Sequence, residues 1–518
     1  MKSIMKLNNY KIISILSLVL IISCTDLEIE ESDSVISDSD SEFTGVDDVD
    51  AFLDDLYNGS NGATLKTIIE SQENLYALNE VTTDELLVPT RGTDWGDNGI
   101  WRKLHEHTWD PLHDYVLNNW NNLNQLVFNT TLAIDTRSGG TPVQVARAKF
   151  LRAWAMFWIM DMYGQAPFRE PDDGPDVNPS VLSRSEAFDF ILEDLNTALP
   201  DLPDGTPGSA TNDANKAAAQ FLLAKMYLNK HIYLGVPTPE VSDMQQVVDL
   251  VDDITLSGFQ LQSGYFEIFE PSSDSETILF TSSSVGNRMW NGLHYNQNSP
   301  DNGGGGWNGW CTLAEFYGLF EGDPDINIPG SGQEERRGYV PTDGSHLGIG
   351  YGFLIGQQYD ENGDELRDRP GNPLDFTKNL PALTGNNERT GIRTIKYHPE
   401  NGAFQGHQIV FRYADAYLMK AEAIFRGASS GSDPLTMINN LRNIRSASPL
   451  SSLDEQSILD ERGRELYKEF WRRNDLIRFG QFAQPWEFKI NNDDFRNLFP
   501  IPGTAILSNP NLSQNPGY

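Results

Sequence analysis

Apolar residues in this chain recur at helical spacing over several long segments, and this constrains the fold more than any other feature. Ala146 to Tyr163 sets Phe150, Ala153, Trp154, Phe157 and Met160 on one stripe, the three-to-four spacing of an amphipathic helix. Ala214 to Tyr233 repeats the pattern with Ala217, Phe221, Ala224 and Leu228, and Met244 to Ile254 can partner it. Ser183 and Glu186 form a capping-box pair ahead of Phe188, Ile191, Leu192 and Leu195. Tyr413 to Arg426 carries a further stripe that Gly427 ends. Asp433 then caps a helix with Pro434 at its first position. A last helical run is expected over Ser452 to Phe479, starting at a Ser452/Glu455 capping box. Small residues (Ala217, Ala218, Ala224, Ala421, Ala423) stand where helices can cross closely. The spacing predicts a mainly α fold of antiparallel, tetratricopeptide-like helix pairs, without a clean repeat period.

Residues from about 259 to 410 break this pattern. They are rich in Gly, Asn, Asp and Pro, with short apolar runs such as Ile278-Leu279-Phe280. This is expected to be a long loop-rich insertion with a few short strands, carried by scaffold segments 46–258 and 411–518 of a single domain. A loop region of such length in a compact domain is usually functional.

The N-terminus reads as an address. Lys2, Lys6 and Lys11 precede an apolar run from Ile12 to Ile22, which ends in Ser23-Cys24. A predominantly apolar run of eleven residues suits a signal peptide and is too short to span a bilayer. A small residue before a cysteine at that point resembles the bacterial lipobox. The expectation is a lipoprotein signal peptide over 1–23, acylation of Cys24, and an acidic, serine-rich flexible tether over 24–45. Cys311 would then be the lone thiol of the processed chain, buried and inert. The net charge of −36 argues against nucleic acid as a partner.

Several motifs converge on a family. Arg147-Ala148-Lys149-Phe150-Leu151-Arg152-Ala153-Trp154 is followed by Tyr163-Gly164 and Pro167. Ala219 to Asn229, Arg412 to Ala423, Asp460 to Leu466 and Arg472 to Arg478 come next, and the chain closes with Leu498-Phe499-Pro500-Ile501-Pro502 and Asn509 to Tyr518. In this order they resemble the SusD/RagB family from lipobox to last residue. The resemblance implies a non-catalytic lipoprotein on the outer membrane of Bacteroidetes. It would capture oligosaccharides at the cell surface and load them into a SusC-like TonB-dependent transporter. A binder of peptides or another nutrient is the alternative, and a surface glycoside hydrolase the third reading. The motifs themselves read as core stripes and structural ion pairs, such as Asp475 beside Arg472, Arg473 and Arg478.

Sugars need aromatic faces for their C–H sides and planar polar groups for their hydroxyls. Two loops offer both. One contains Asp84, Arg91, Asp94 and Trp95, with Trp95 among Gly92, Gly96 and Gly99. The other contains Trp290, Tyr295, Trp307 and Asn308, with Trp310 next to Cys311 as its most buried ring. The resemblance implies that a tryptophan after the early segment contributes to an aromatic arc.

No cofactor or metal is expected. Asp360, Asn362 and Asp364 have calcium-like spacing, but Glu365 stands where an EF-hand needs glycine. His105, His107 and His113 lack the companions of a zinc site and are expected at a polar surface or interface. Gly427-Ala428-Ser429-Ser430-Gly431 follows a helix rather than the strand a nucleophile elbow needs. Gly304 to Gly309 spells a dinucleotide-binding loop without its strand–turn–helix context.

Overall fold

The computed structural model describes residues 43–174, 176–209, 211–271, 274–282, 291–297, 305–323, 332–400 and 406–518. Cys24, residues 24–42 of the acidic tether and Trp290 lie outside the described residues.

The longer helices are α1 (Val49–Asn58), α2 (Asp114–Ile134), α3 (Pro142–Tyr163), α4 (Arg184–Ala198), α5 (Lys216–Tyr233), α6 (Val241–Leu256), α7 (Tyr413–Phe425), α8 (Pro434–Ile444), α9 (Glu455–Leu466) and α10 (Arg472–Arg478). Each of α2 to α7 packs on the next in the series, so α6 meets α7 although 156 residues separate them. The protein is mainly helical, built of helix pairs.

Local chemistry sets the boundaries. Thr141 and Gln144 form a capping box with Pro142 at the first turn of α3, and Gly164 ends that helix at φ +73°. The helix is buried on nearly all sides from Ala146 onward, which explains its weak amphipathicity. Ser183 and Glu186 cap α4 as the sequence predicts, and Asp433 caps α8 ahead of Pro434. Ala217, Ala218, Ala224, Ala421 and Ala423 are fully buried.

The C-terminal helical run departs from expectation in two ways. Asp454 is its cap, accepting from the backbone N–H of Ser457 at 2.8 Å, and Ser457 answers it. The run also breaks between Leu466 and Arg472. Lys468 and Phe470 both take positive φ, and buried carboxylates hold them there. Glu85 accepts from Lys468 N (2.5 Å), and Glu80 accepts from Phe470 N (2.7 Å). Such strain persists only where surrounding groups over-determine the backbone.

The inserted region leaves and returns through one antiparallel pair, Thr277–Thr281 with Gln408–Arg412. Beyond this neck lie short antiparallel strands. Gly338–Tyr339, Tyr351–Leu354 and Arg393–Ile395 form a three-stranded sheet. Cys311–Thr312 pairs with Leu86–Leu87 from the helical part. The insertion has its own apolar core around Tyr265, Phe316, Phe353, Ile392 and Tyr467. Thr44–Tyr518 is one unit.

Buried ion pairs tie insertion to scaffold. Glu465 of α9 accepts from Arg412 (2.9 Å), Arg445 (3.0 Å) and Arg336 (3.1 Å). Asp475 accepts from Arg462 (2.8 Å) and Arg478 (2.7 Å), and Arg473 donates to Asp161 instead (2.9 Å). Such pairs fix one arrangement more than they add net stability, and removing one partner costs about 3–5 kcal/mol.

The three histidines are not at a surface. His105, His107 and His113 are buried, and their rings meet backbone carbonyls of Glu487 (2.9 Å), Thr82 (2.8 Å) and Ile100 (3.1 Å). They satisfy carbonyls that the irregular segments around residues 81–113 would otherwise bury unpaired.

Candidate functional site

The loop Gly92 to Gly99 takes positive φ at five positions, Gly92, Trp95, Asp97, Asn98 and Gly99. Trp95 (φ +61°), Asp97 and Asn98 all take positive φ without being glycine, a cost of order 1–3 kcal/mol each. The strain turns Trp95 onto the second loop. Its indole Nε1 donates to the carbonyl of Trp307 at 2.8 Å. Its six-membered ring lies on Gly309, where a Cβ would sit 2.3 Å from Cε2. Behind it, Trp95 meets Trp101 edge-on at 5.9 Å, and Trp101 meets Trp310 at 5.3 Å. Trp101 and Trp310 are buried, Trp95 is half-buried, and Trp307 is 58% exposed. One aromatic chain thus runs from the core to Trp95, which hydrogen-bonds the backbone of the exposed Trp307.

Polar groups edge this face. The Tyr295 hydroxyl donates to Asp94. The Arg369 guanidinium lies 3.8 Å above the Tyr295 ring and donates to Asp94 (3.2 Å) and Glu388 (2.5 Å). Burial pushes the His294 imidazole down to about 4, so it is neutral at pH 7. Its Nδ1 accepts from Asn296 N (3.1 Å), which leaves Nε2–H to donate to Glu388 at 3.0 Å. Burial works against ionisation of Glu388, yet the N–H groups of Arg369 and His294 hold its carboxyl below the usual range. Glu388 is therefore a fixed acceptor and a poor proton donor.

The expected residues separate into three groups. Trp95, Trp307, Tyr295 and Asp94 come together, from loops about 200 residues apart in the chain. Arg91 and Asn308 lie beneath them, buried, with polar atoms turned inward. Arg91 donates to Asn387 O (3.0 Å) and Thr390 Oγ1 (2.9 Å). Asn308, at φ +54°, donates to Glu388 O (3.0 Å) and accepts from Arg393 (2.7 Å). Their place is in the loop frame, away from solvent. Asp84 is elsewhere, in a two-point ion pair with Arg472 (2.7 and 2.6 Å). Cys311 is a buried free thiol. Asp360 accepts from the backbone N–H groups of Asn362 and Asp364 (both 2.9 Å), so it closes its own turn.

Sequence reasoning missed Arg369 and Glu388. They approach Tyr295 from the far side of the insertion, and only a charged run in a glycine-flanked loop (Arg367-Asp368-Arg369) hinted at them.

Helix pairs here carry an aromatic face built jointly by the Gly92–Gly99 loop and the long insertion. A family model described as "SusD family" matches residues 275–518, and one described as "Starch-binding associating with outer membrane" matches 32–228. The chain is 28% identical to the starch-binding protein SusD of Bacteroides thetaiotaomicron, over 85% of this chain and 84% of that protein. It is 24% identical to SusD-like protein P2 of Formosa agariphila, over 99% and 100%. Among solved structures it is similar to a SusD-like protein of Bacteroides fragilis (TM-score 0.69, 20% identity, 92% and 98% covered). It is also similar to surface glycan-binding protein A of Bacteroides thetaiotaomicron in complex with laminarihexaose (TM-score 0.65, 16% identity, 90% and 98% covered). The chain belongs to the SusD/RagB family.

Proposed function

We propose that this protein is a non-catalytic glycan-binding protein of the bacterial outer membrane, holding oligosaccharide on the face built by Trp307, Trp95 and Tyr295. One observation carries the reading. The backbone that carries an indole open to water is held by a second tryptophan, which itself sits on a strained turn. An indole held in a fixed place at the surface offers a flat apolar face, and a sugar's C–H side fits such a face. Asp94, Arg369 and Glu388 lie at the edge, where hydroxyls would reach them. The names of the relatives, one starch-binding and one holding laminarihexaose, support the same ligand class.

The two carboxylates of the site share the Arg369 guanidinium. Neither is placed as the acid of an acid–base pair, and this supports binding without hydrolysis. Anchoring through a lipid on Cys24, exposure at the cell surface and delivery to a SusC-like TonB-dependent transporter complete the proposal. They rest on the lipobox-like leader and on family membership.

Affinity electrophoresis through gels containing soluble starch or laminarin tests the binding reading, with a reducing-end assay on the same mixtures. Retardation that is lost in Trp307→Ala, with no new reducing ends, is the expected result. Equal retardation of the native chain, Trp95→Ala and Trp307→Ala would remove the site.

A further inference from the structure

A second cavity of about 220 Å³ opens on another part of the surface, and its lining shares no residue with the Trp307 face. Its walls come from the Asp84 turn, the 314–319 segment, α9, α10 and the 481–486 turn. We propose that this cavity is a separate subsite for a single neutral pyranose ring, stacked against Trp486 and hydrogen-bonded by Asp460 and Gln484.

Rigid parts form the back of the cavity. Arg472 grips Asp84 at two points and also donates to Leu459 O (3.1 Å), so neither charge is free to pair with a ligand. Trp486 is held by Lys489, whose Nζ sits 3.7 Å from the ring centroid, and by an edge contact with His107 at 5.3 Å. Phe316, Leu459, Leu476 and Pro485 add apolar wall.

The remaining polar groups are under-used. Asp460 is half-buried, and among the described residues only Gln456 Nε2 donates to its carboxylate (2.7 Å). Burial accordingly pushes its carboxyl above the usual range. A desolvated carboxylate with one donor gains from further O–H donors. Glu315 accepts one backbone N–H, from Glu487 (2.8 Å). The side-chain amide of Gln484 makes no hydrogen bond within the described protein, and the residue is exposed. A fixed aromatic wall, a free amide and carboxylates short of donors match a ring with one apolar side and a rim of hydroxyls. The volume suits one ring rather than a chain of them. Asp84, expected from sequence to serve the aromatic face, is instead part of this wall.

The proposal shares its ligand class with the reading above, so the test separates the two sites. Saturation-transfer NMR is run on the full chain with the methyl glycosides of glucose, galactose, mannose and xylose. At least one should receive saturation from Trp307→Ala as strongly as from the native chain. The same signal should fall severalfold in Gln484→Ala and vanish in Asp460→Ala/Gln484→Ala. Gln484→Ala removes no hydrogen bond of the described protein, and native retardation of this variant by laminarin shows that it is folded. The proposal is overturned if no glycoside signal survives Trp307→Ala, or if the surviving signal is unchanged in the Asp460/Gln484 double variant. A Trp307→Ala protein still retarded by starch and laminarin would count against the first site alone.

Discussion

The indole N–H of Trp95 donates to the carbonyl of Trp307 at 2.8 Å, across 212 residues of chain. The two tryptophans therefore have different work. Trp307 offers its face to solvent, and Trp95 spends its polar atom and one ring face on positioning Trp307. Trp307→Ala should abolish measurable glycan retention. Trp95→Phe keeps an aromatic ring but loses the hydrogen bond, worth about 1 kcal/mol, or roughly fivefold in affinity. Titration calorimetry of both variants with laminarihexaose checks this order. Equal losses would mean that both rings touch ligand alike.

Gly309 gives the same contact a steric test. Any Cβ there would meet Trp95 Cε2 at 2.3 Å, far inside van der Waals distance. Gly309→Ala should push the indole off its seat and weaken glycan binding at least as much as Trp95→Phe. The ring can swing toward water, so the melting temperature should fall by only about one degree, the shift that a cost of about 1 kcal/mol produces in a unit as large as Thr44–Tyr518. Native affinity in Gly309→Ala would show that the Trp95 seat is not needed.

How much of this was legible in the sequence depends on the range of the interaction. Capping and stripes are local, so α3, α4, α7 and α8 could be read from residues three or four apart. The break after Leu466 could not, because its strained turn is held by Glu80 and Glu85, nearly 400 residues away. The site divides in the same way. Tryptophans among glycines marked both loops, whereas Arg369 and Glu388 reach Tyr295 only through folding of the insertion. Arg91 and Asn308 carried the right chemistry for a sugar contact, but buried backbone carbonyls claimed it first.

The turn after α9 supplies a prediction about stability as pH rises. Burial, then the adjacent Glu80 carboxylate, pushes the Glu85 carboxyl well above its ordinary range. The folded state thus favours a proton on Glu85. Its stabilising contribution is present below the unfolded carboxylate range and is lost as pH rises through the raised folded value. Glu85→Gln keeps the acceptor for Lys468 N and a donor toward Glu80, with no proton to lose. Its melting temperature should match the native chain near pH 4.5 and exceed it by a growing margin as pH rises from there toward the raised folded value. Parallel melting curves across that range would mean that Glu85 is ionised in the fold.

At acid pH the signs reverse, and two sets of groups act in succession. Burial holds His231 and His294 at about 4 and His398 at about 3. Between the unfolded histidine value near 6.5 and about 4, the unfolded chain binds protons that the folded one refuses, so stability falls as pH drops. The carboxylates follow. Burial opposes ionisation of Glu422 and Glu461, but Arg478 beside Glu422 and Arg336 beside Glu461 hold both near 2. Their contribution is present above about 4.5 and lost as pH falls toward 2. The urea midpoint should therefore decline from pH 7 to 4 and decline further below 4.5. Glu422→Gln should remove part of the lower limb and leave the decline between pH 6.5 and 4.5 intact, at a cost of about 3–5 kcal/mol at pH 7 for a buried Arg478 that keeps Asp475 but loses its second carboxylate. An unchanged lower limb in that variant would place the acid sensitivity in other carboxylates than the Glu422–Arg478 pair.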